Sequence, residues 1–162
     1  MAHGIAIGLS DAGFMQFVTR SILLKNRKKV YLMKRKLICP YCGASVIYAP
    51  ASKVYGKNIR QKGDHLYLCS RWPVCDAYVS AHRHDGSPMG TLANARLRRK
   101  RVKAHDALNT LRQTKHMDKW ASYLWLQCKL GLDAEHTHIG AFTEPMCDSV
   151  IELCTKEQAL AG

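Results

Sequence analysis

"LICPYCGASVI", residues 37–47, places two cysteines two residues apart in a run that otherwise reads as strand. A thiol pair of this kind serves a redox centre, a disulfide or half of a metal site. The partner stretch is "YLCSRWPVCDAYV", residues 67–79, where Cys69 and Cys75 form a second pair in another strand-like run. Zinc prefers four tetrahedral ligands with sulfur at about 2.3 Å, and two tight turns that each present two thiolates meet that demand. In the first turn Pro40 fixes its own φ, and Gly43, just after Cys42, is free to take positive φ. Pro73 punctuates the second turn. A redox pair calls for a βαβ setting, and a disulfide framework calls for an oxidising compartment. The reading is therefore a structural zinc held by Cys39, Cys42, Cys69 and Cys75, with His65 the nearest rival ligand.

The chain has 162 residues, enough for a small metal module joined to a helical region and too few for two large domains. Three of its seven cysteines, Cys128, Cys147 and Cys154, lie outside the two pairs in helix-like context. Burial is the common fate of such thiols, and together with a zinc site they point to a reducing, cytoplasmic setting. No apolar run approaches the roughly 18 residues that a membrane span needs. The formal net charge is +13, of which a tetrathiolate zinc takes back only two charges. A field of that sign attracts polyanions, nucleic acid foremost.

The organisation expected along the chain is α+β: a four-cysteine zinc ribbon packed with about three helices. Residues 1–32 carry none of these ligands and read as a basic appendage, either a disordered arm or a segment outside the domain. The ribbon covers 33–82, with strand-like "SVIYA", "HLYLC" and "DAYVS" and a long hairpin carrying Lys53, Lys57, Arg60 and Lys62. The helical region covers 83–162. Its first helix is expected from about Thr91 to Gln113, packing through Leu92, Ala93, Leu97, Ala104, Ala107, Leu108 and Leu111. Asn94, Arg98, Arg101 and His105 border that face at helical spacing. The segment Arg96 to Lys103 is basic at six of eight positions, and the mutual repulsion calls for an anionic partner. Asp118 and Gly131 bracket a second helix with Trp120, Leu124 and Cys128 recurring at four. Thr143 opens a third, with Met146, Cys147, Val150, Ile151 and Cys154 as its apolar stripe.

The pattern "CPYCG" followed by "CSRWPVCDAYV" resembles the C-terminal zinc ribbons of bacterial type IA topoisomerases, with Trp72-Pro73 in the aromatic-proline position of the second knuckle. A wider likeness, carried by "CPYCGA", "CDAYVSAH", "GTLANARLRR", "YLWL" and "HIGAF" between Cys39 and about Cys154, resembles a zinc-finger-containing domain family found largely in bacteriophage and prophage genomes. That likeness implies a zinc site and the extent of the domain, and brings no activity with it.

Three functions are compatible with these residues. In the leading one, the chain is a zinc-dependent nucleic-acid-binding module without catalysis, preferring DNA to RNA. Tyr41 and Trp72 would stack on bases, while Lys53, Lys57, Arg60, Arg71, Arg96, Arg98, Arg99, Lys100, Arg101 and Lys103 track phosphates. In the second, it is an adaptor or inhibitor docking on a host protein, which calls for Trp120, Trp125, Phe142 or Met146 together at the surface. In the third, it is a metal-dependent nuclease built on His82, His84 and Asp85, with Asn94 and His105 facing them from the helix and His136 and His138 as another pair near the C-terminal loop.

Overall fold

The computed structural model describes residues 37–56 and 64–160. The appendage expected over 1–32 and the hairpin cations Lys57, Arg60 and Lys62 lie outside the described residues. Three antiparallel strands form one sheet in chain order: β1 (Val46–Pro50), β2 (His65–Cys69) and β3 (Tyr78–Ser80). The register pairs Val46 with Cys69 and Pro50 with His65, and then Leu66 with Ser80 and Leu68 with Tyr78. Alternation explains the burial. Leu66 and Leu68 of β2 point to the same face and are buried with Ala49, Ala51 and Tyr78, with Trp72 packed against them. Burying each such leucine stabilises the sheet by about 1.5–3 kcal/mol. The connection from β1 to β2 begins with one helical turn, α1 (Ser52–Tyr55), stopped by Gly56 at φ 74°.

Three longer helices complete the fold: α2 (Ala95–Thr114), α3 (Lys119–Leu130) and α4 (Glu144–Ala159), with a 3-10 turn at Ile139–Ala141 before α4. Their shared core contains Leu97, Ala104, Leu108, Leu111, Leu126, Ile139, Phe142, Cys147, Val150 and Cys154. Cys147 and Cys154 are thus core residues, and burial raises both thiols, Cys154 to about 11. Among the described residues no helix is long and apolar enough to cross a membrane.

Two helical expectations change on inspection. The first helix opens at Ala95, four residues later than the spacing predicts, because the Asn94 side chain accepts from Leu97 N at 2.9 Å and caps it. Residues 91–94 instead stay outside the helix, and Ala93 bridges Tyr78 of the sheet. Leu92 and Ala93 are buried as expected, but from this non-helical stretch. The second helix keeps its predicted bounds: Asp118 accepts from Ala121 N at 2.6 Å, and Gly131 closes it in the left-handed conformation. Its periodic stripe, however, faces outward. Trp120 is 72% and Leu124 41% exposed, Cys128 is exposed, and Ser122 and Leu126 occupy the inner face.

One close approach ties the sheet side to the helices. Thr91 N donates to Gly140 O at 3.1 Å, and Gly90, at φ 144°, lies so near that a Cβ there would stand 2.0 Å from the Gly140 oxygen. A Cβ on Gly140 would stand 2.4 Å from Met89 O. Only glycine at both positions allows the two backbones to pass.

Candidate metal centre

The two knuckles are built by local backbone hydrogen bonds. In the first, Cys39 N donates to Ala44 O at 2.8 Å and Gly43 N to Cys39 O at 3.0 Å, with Gly43 at φ 70°. In the second, Trp72 N donates to Cys69 O at 3.0 Å and Cys75 N to Arg71 O at 3.1 Å, around a cis Trp72–Pro73 bond. Ser70 N, donating to Ser45 O at 2.9 Å, joins the two turns. The four sulfurs of Cys39, Cys42, Cys69 and Cys75 all lie within 4.8 Å of one another. Cys39 Sγ stands 3.6 Å from Cys75 Sγ, and Cys42 Sγ 3.4 Å from Cys69 Sγ. Four sulfurs tetrahedrally placed at zinc–sulfur bond length are about 3.8 Å apart, so the cage is close to the size Zn²⁺ requires.

The chemistry of the donors fits as well. The backbone N–H groups of Ala44, Arg71 and Ala77 hydrogen-bond the Cys42, Cys69 and Cys75 sulfurs, each from two residues further along the chain. Such donors favour the thiolate, the form that binds metal. At Cys42 the Ala44 bond prevails and the thiol falls to about 7. At Cys69 burial prevails and the thiol rises to about 12. A divalent cation held between them would offset that burial. His65, the rival ligand, lies outside the cage and stacks on Tyr48 instead, with ring centroids 4.7 Å apart.

A clasp fastens the second knuckle to α2. The Asp76 carboxylate, next to Cys75, accepts from Ala95 N at 2.6 Å and from Arg98 Nη2 at 3.2 Å. Arg98 Nη1 donates to Asp76 O at 2.6 Å and to Ala93 O at 2.5 Å, and the guanidinium lies 3.8 Å over the Tyr78 ring. A carboxylate at the N-terminus of α2 also complements the helix dipole. Residue spacing alone offers no signal for this role of Asp76.

The basic run on α2 splits into different jobs. Arg101 is 8% exposed. Its Nε donates to Phe142 O at 3.0 Å, Nη1 to Thr91 O at 2.8 Å and Nη2 to Thr91 Oγ1 at 2.7 Å. Burial lowers its pKa, yet arginine stays charged at neutral pH. Both Arg98 and Arg101, expected on a phosphate track, are therefore engaged inside the fold. Arg96 pairs with Glu144 at 2.7 Å, and Lys100 pairs with Asp148, both on α4. Lys53, Arg71, Arg99 and Lys103 are exposed and pair with no carboxylate among the described residues. Tyr41, 43% exposed, shares a concavity with Arg71, Val74 and Asn94 beside the knuckles. Trp72, the other expected stacking ring, is half-buried and meets Tyr78 edge to face at 6.0 Å.

The histidines do not assemble a second metal site among the described residues. Among the described residues the four cysteines are the one cluster of three or more convergent metal-ligand atoms. The His82 and His84 rings lie 5.5 Å apart, and Asp85 accepts from Ser87 N at 2.9 Å and Ser87 Oγ at 2.8 Å. Asn94 is occupied as a cap, and His136 Nδ1 lies 2.7 Å from Asp133 Oδ1. The apolar patch of the adaptor reading is likewise dispersed: Phe142 is buried, Trp125 and Met146 are half-buried, and Trp120 is exposed.

A family model described as a zinc-finger-containing domain matches residues 35–157. No curated protein and no solved structure matches the chain.

Proposed function

Because the chain belongs to the zinc-finger-containing domain family and carries the four-cysteine cage that zinc binding requires, we propose that it is a zinc-dependent nucleic-acid-binding module. The reading adds that the module prefers DNA to RNA and works in the cytoplasm without catalysis. One observation carries it: Lys53, Arg71, Arg99 and Lys103 remain exposed, without carboxylate partners among the described residues, on the ribbon and on the helix clasped to it, with Tyr41 beside the knuckles. Unpaired cations track phosphates, and an exposed ring adds stacking worth about 1–3 kcal/mol per base. Arg98 and Arg101 belong to the scaffold of that surface. Origin in a bacteriophage or prophage is supported by the resemblance of the sequence alone.

The test is filter binding of the zinc-loaded chain to single- and double-stranded DNA and RNA across salt. Binding falls as salt rises, with a slope of about −0.9 per duplex phosphate contacted. The triple variant Arg71→Gln, Arg99→Gln, Lys103→Gln flattens that slope while keeping its zinc. Affinity that is absent, or indifferent to salt, refutes the proposal.

A further inference from the structure

A cleft of about 290 Å³ opens between the second half of α2 and the first turns of α3. His105, Asn109, Arg112, Lys119 and Tyr123 line it, together with Leu108. Arg112 donates through Nε and Nη2 to Asn109 Oδ1, at 3.2 and 2.9 Å, and neither Arg112 nor Lys119 pairs with a carboxylate among the described residues. Asp118, the neighbouring acid, is turned to its capping bond with Ala121 N. Burial first, then His138, lower the pKa of His105; Asp106 opposes them, and Lys119 adds a smaller lowering. Two unpaired cations, an amide, an imidazole and a phenol around one concavity make a donor-rich site for an anion.

We propose that this cleft holds a backbone phosphate of the same polynucleotide that the ribbon engages, an inference that rests on the nucleic-acid reading above. The placement along α2 supports one ligand for both. Asn94, in the concavity beside the knuckles, and Arg112, in the cleft, are 18 residues apart, five whole helical turns. Both concavities therefore lie along one side of α2, about 27 Å apart at 1.5 Å per residue. That distance corresponds to about eight base-pair steps. A strand long enough to touch both gains contacts that a shorter one lacks.

Two measurements on the full zinc-loaded chain test it. In the first, inorganic phosphate is titrated while the His105 imidazole and Tyr123 ring resonances are followed. Saturable shifts are expected in the wild type and are lost in the double variant Arg112→Gln, Lys119→Gln. In the second, affinity is measured for duplexes of graded length. A step is expected between about 6 and 10 base pairs, and on the longer duplexes the double variant makes the salt slope shallower by about 0.9, the share of one phosphate. The shortest duplexes bind both proteins equally, and circular dichroism and zinc content are unchanged. Absence of a saturable phosphate response overturns the site while leaving nucleic-acid binding by the ribbon intact. A phosphate response without the length step and slope change overturns its assignment to a polynucleotide. Failure of every oligonucleotide to bind refutes the functional reading itself.

Discussion

Replacing Arg101 with alanine separates a scaffold arginine from a phosphate contact. Three donors of this 8% exposed guanidinium meet Phe142 O, Thr91 O and Thr91 Oγ1. The substitution strands the carbonyl of buried Phe142, at a cost of about 1–3 kcal/mol, while exposed Thr91 turns its acceptors to water. It also opens space once filled by the side-chain stem, so the total loss is about 3 kcal/mol. With a urea m-value of about 2 kcal/mol/M, the unfolding midpoint drops by about 1.5 M in the same zinc buffer. Arg101→Lys recovers part of this, since an ammonium reaches one or two of the three acceptors. Arg99→Ala, at an exposed position on the same helix, shifts the midpoint by less than about 0.3 M. Equal stability of the Arg101→Ala and wild-type proteins, with a specific loss of nucleic-acid affinity, would return Arg101 to the binding surface and refute the packing argument.

Cys75→Ser lowers bound zinc, measured by elemental analysis, from one ion per chain to a small fraction, and the ribbon's amide protection is lost with it, because metal binding and folding share one free energy. Gly90→Ala puts a methyl group 2.0 Å from the Gly140 oxygen and forces a positive φ on alanine. Thermal unfolding then registers a loss of about 3 kcal/mol or more, whereas Ala134→Gly in an exposed loop shows less than about 1 kcal/mol. Lys115, then Lys129, hold the Glu157 carboxyl below its ordinary range. Its contribution is present above the unfolded-state pKa and disappears as pH falls through the depressed folded value. Urea titrations between pH 3 and 6 therefore show a shallower acid loss for Glu157→Gln than for the wild type, and parallel curves would refute the pairing.

The zinc cage and the sheet were legible because their signals are local. Cys39–Gly43 and Cys69–Cys75 carry their own turn punctuation, and "HLYLC" coincides with β2. The start of α2 was less so, since Thr91 and Asn94 are both acceptable caps in isolation. Asp76, some 19 positions earlier, settles the choice by accepting from Ala95 N. Periodicity also fixes a stripe without fixing its direction. Trp120, Leu124 and Cys128 recur at four, yet the core meets α3 through Ser122 and Leu126. In the run Arg96 to Lys103, charge counting cannot single out the one guanidinium that turns inward to the Phe142 and Thr91 carbonyls, because both acceptors come from connecting segments outside the helix.

The Asp76 clasp also has a consequence for how the chain responds to its metal supply. The residue beside a zinc ligand supplies the anchor for the opening turn of α2, so withdrawing the ion loosens more than the ribbon. The opening turn of the helix that presents Arg99 and Lys103 would lose one of its anchors at the same moment, while the remainder stays packed through Leu97, Ala104, Leu108 and Leu111. An empty cage would thus be felt at the near end of that helix and fade along it.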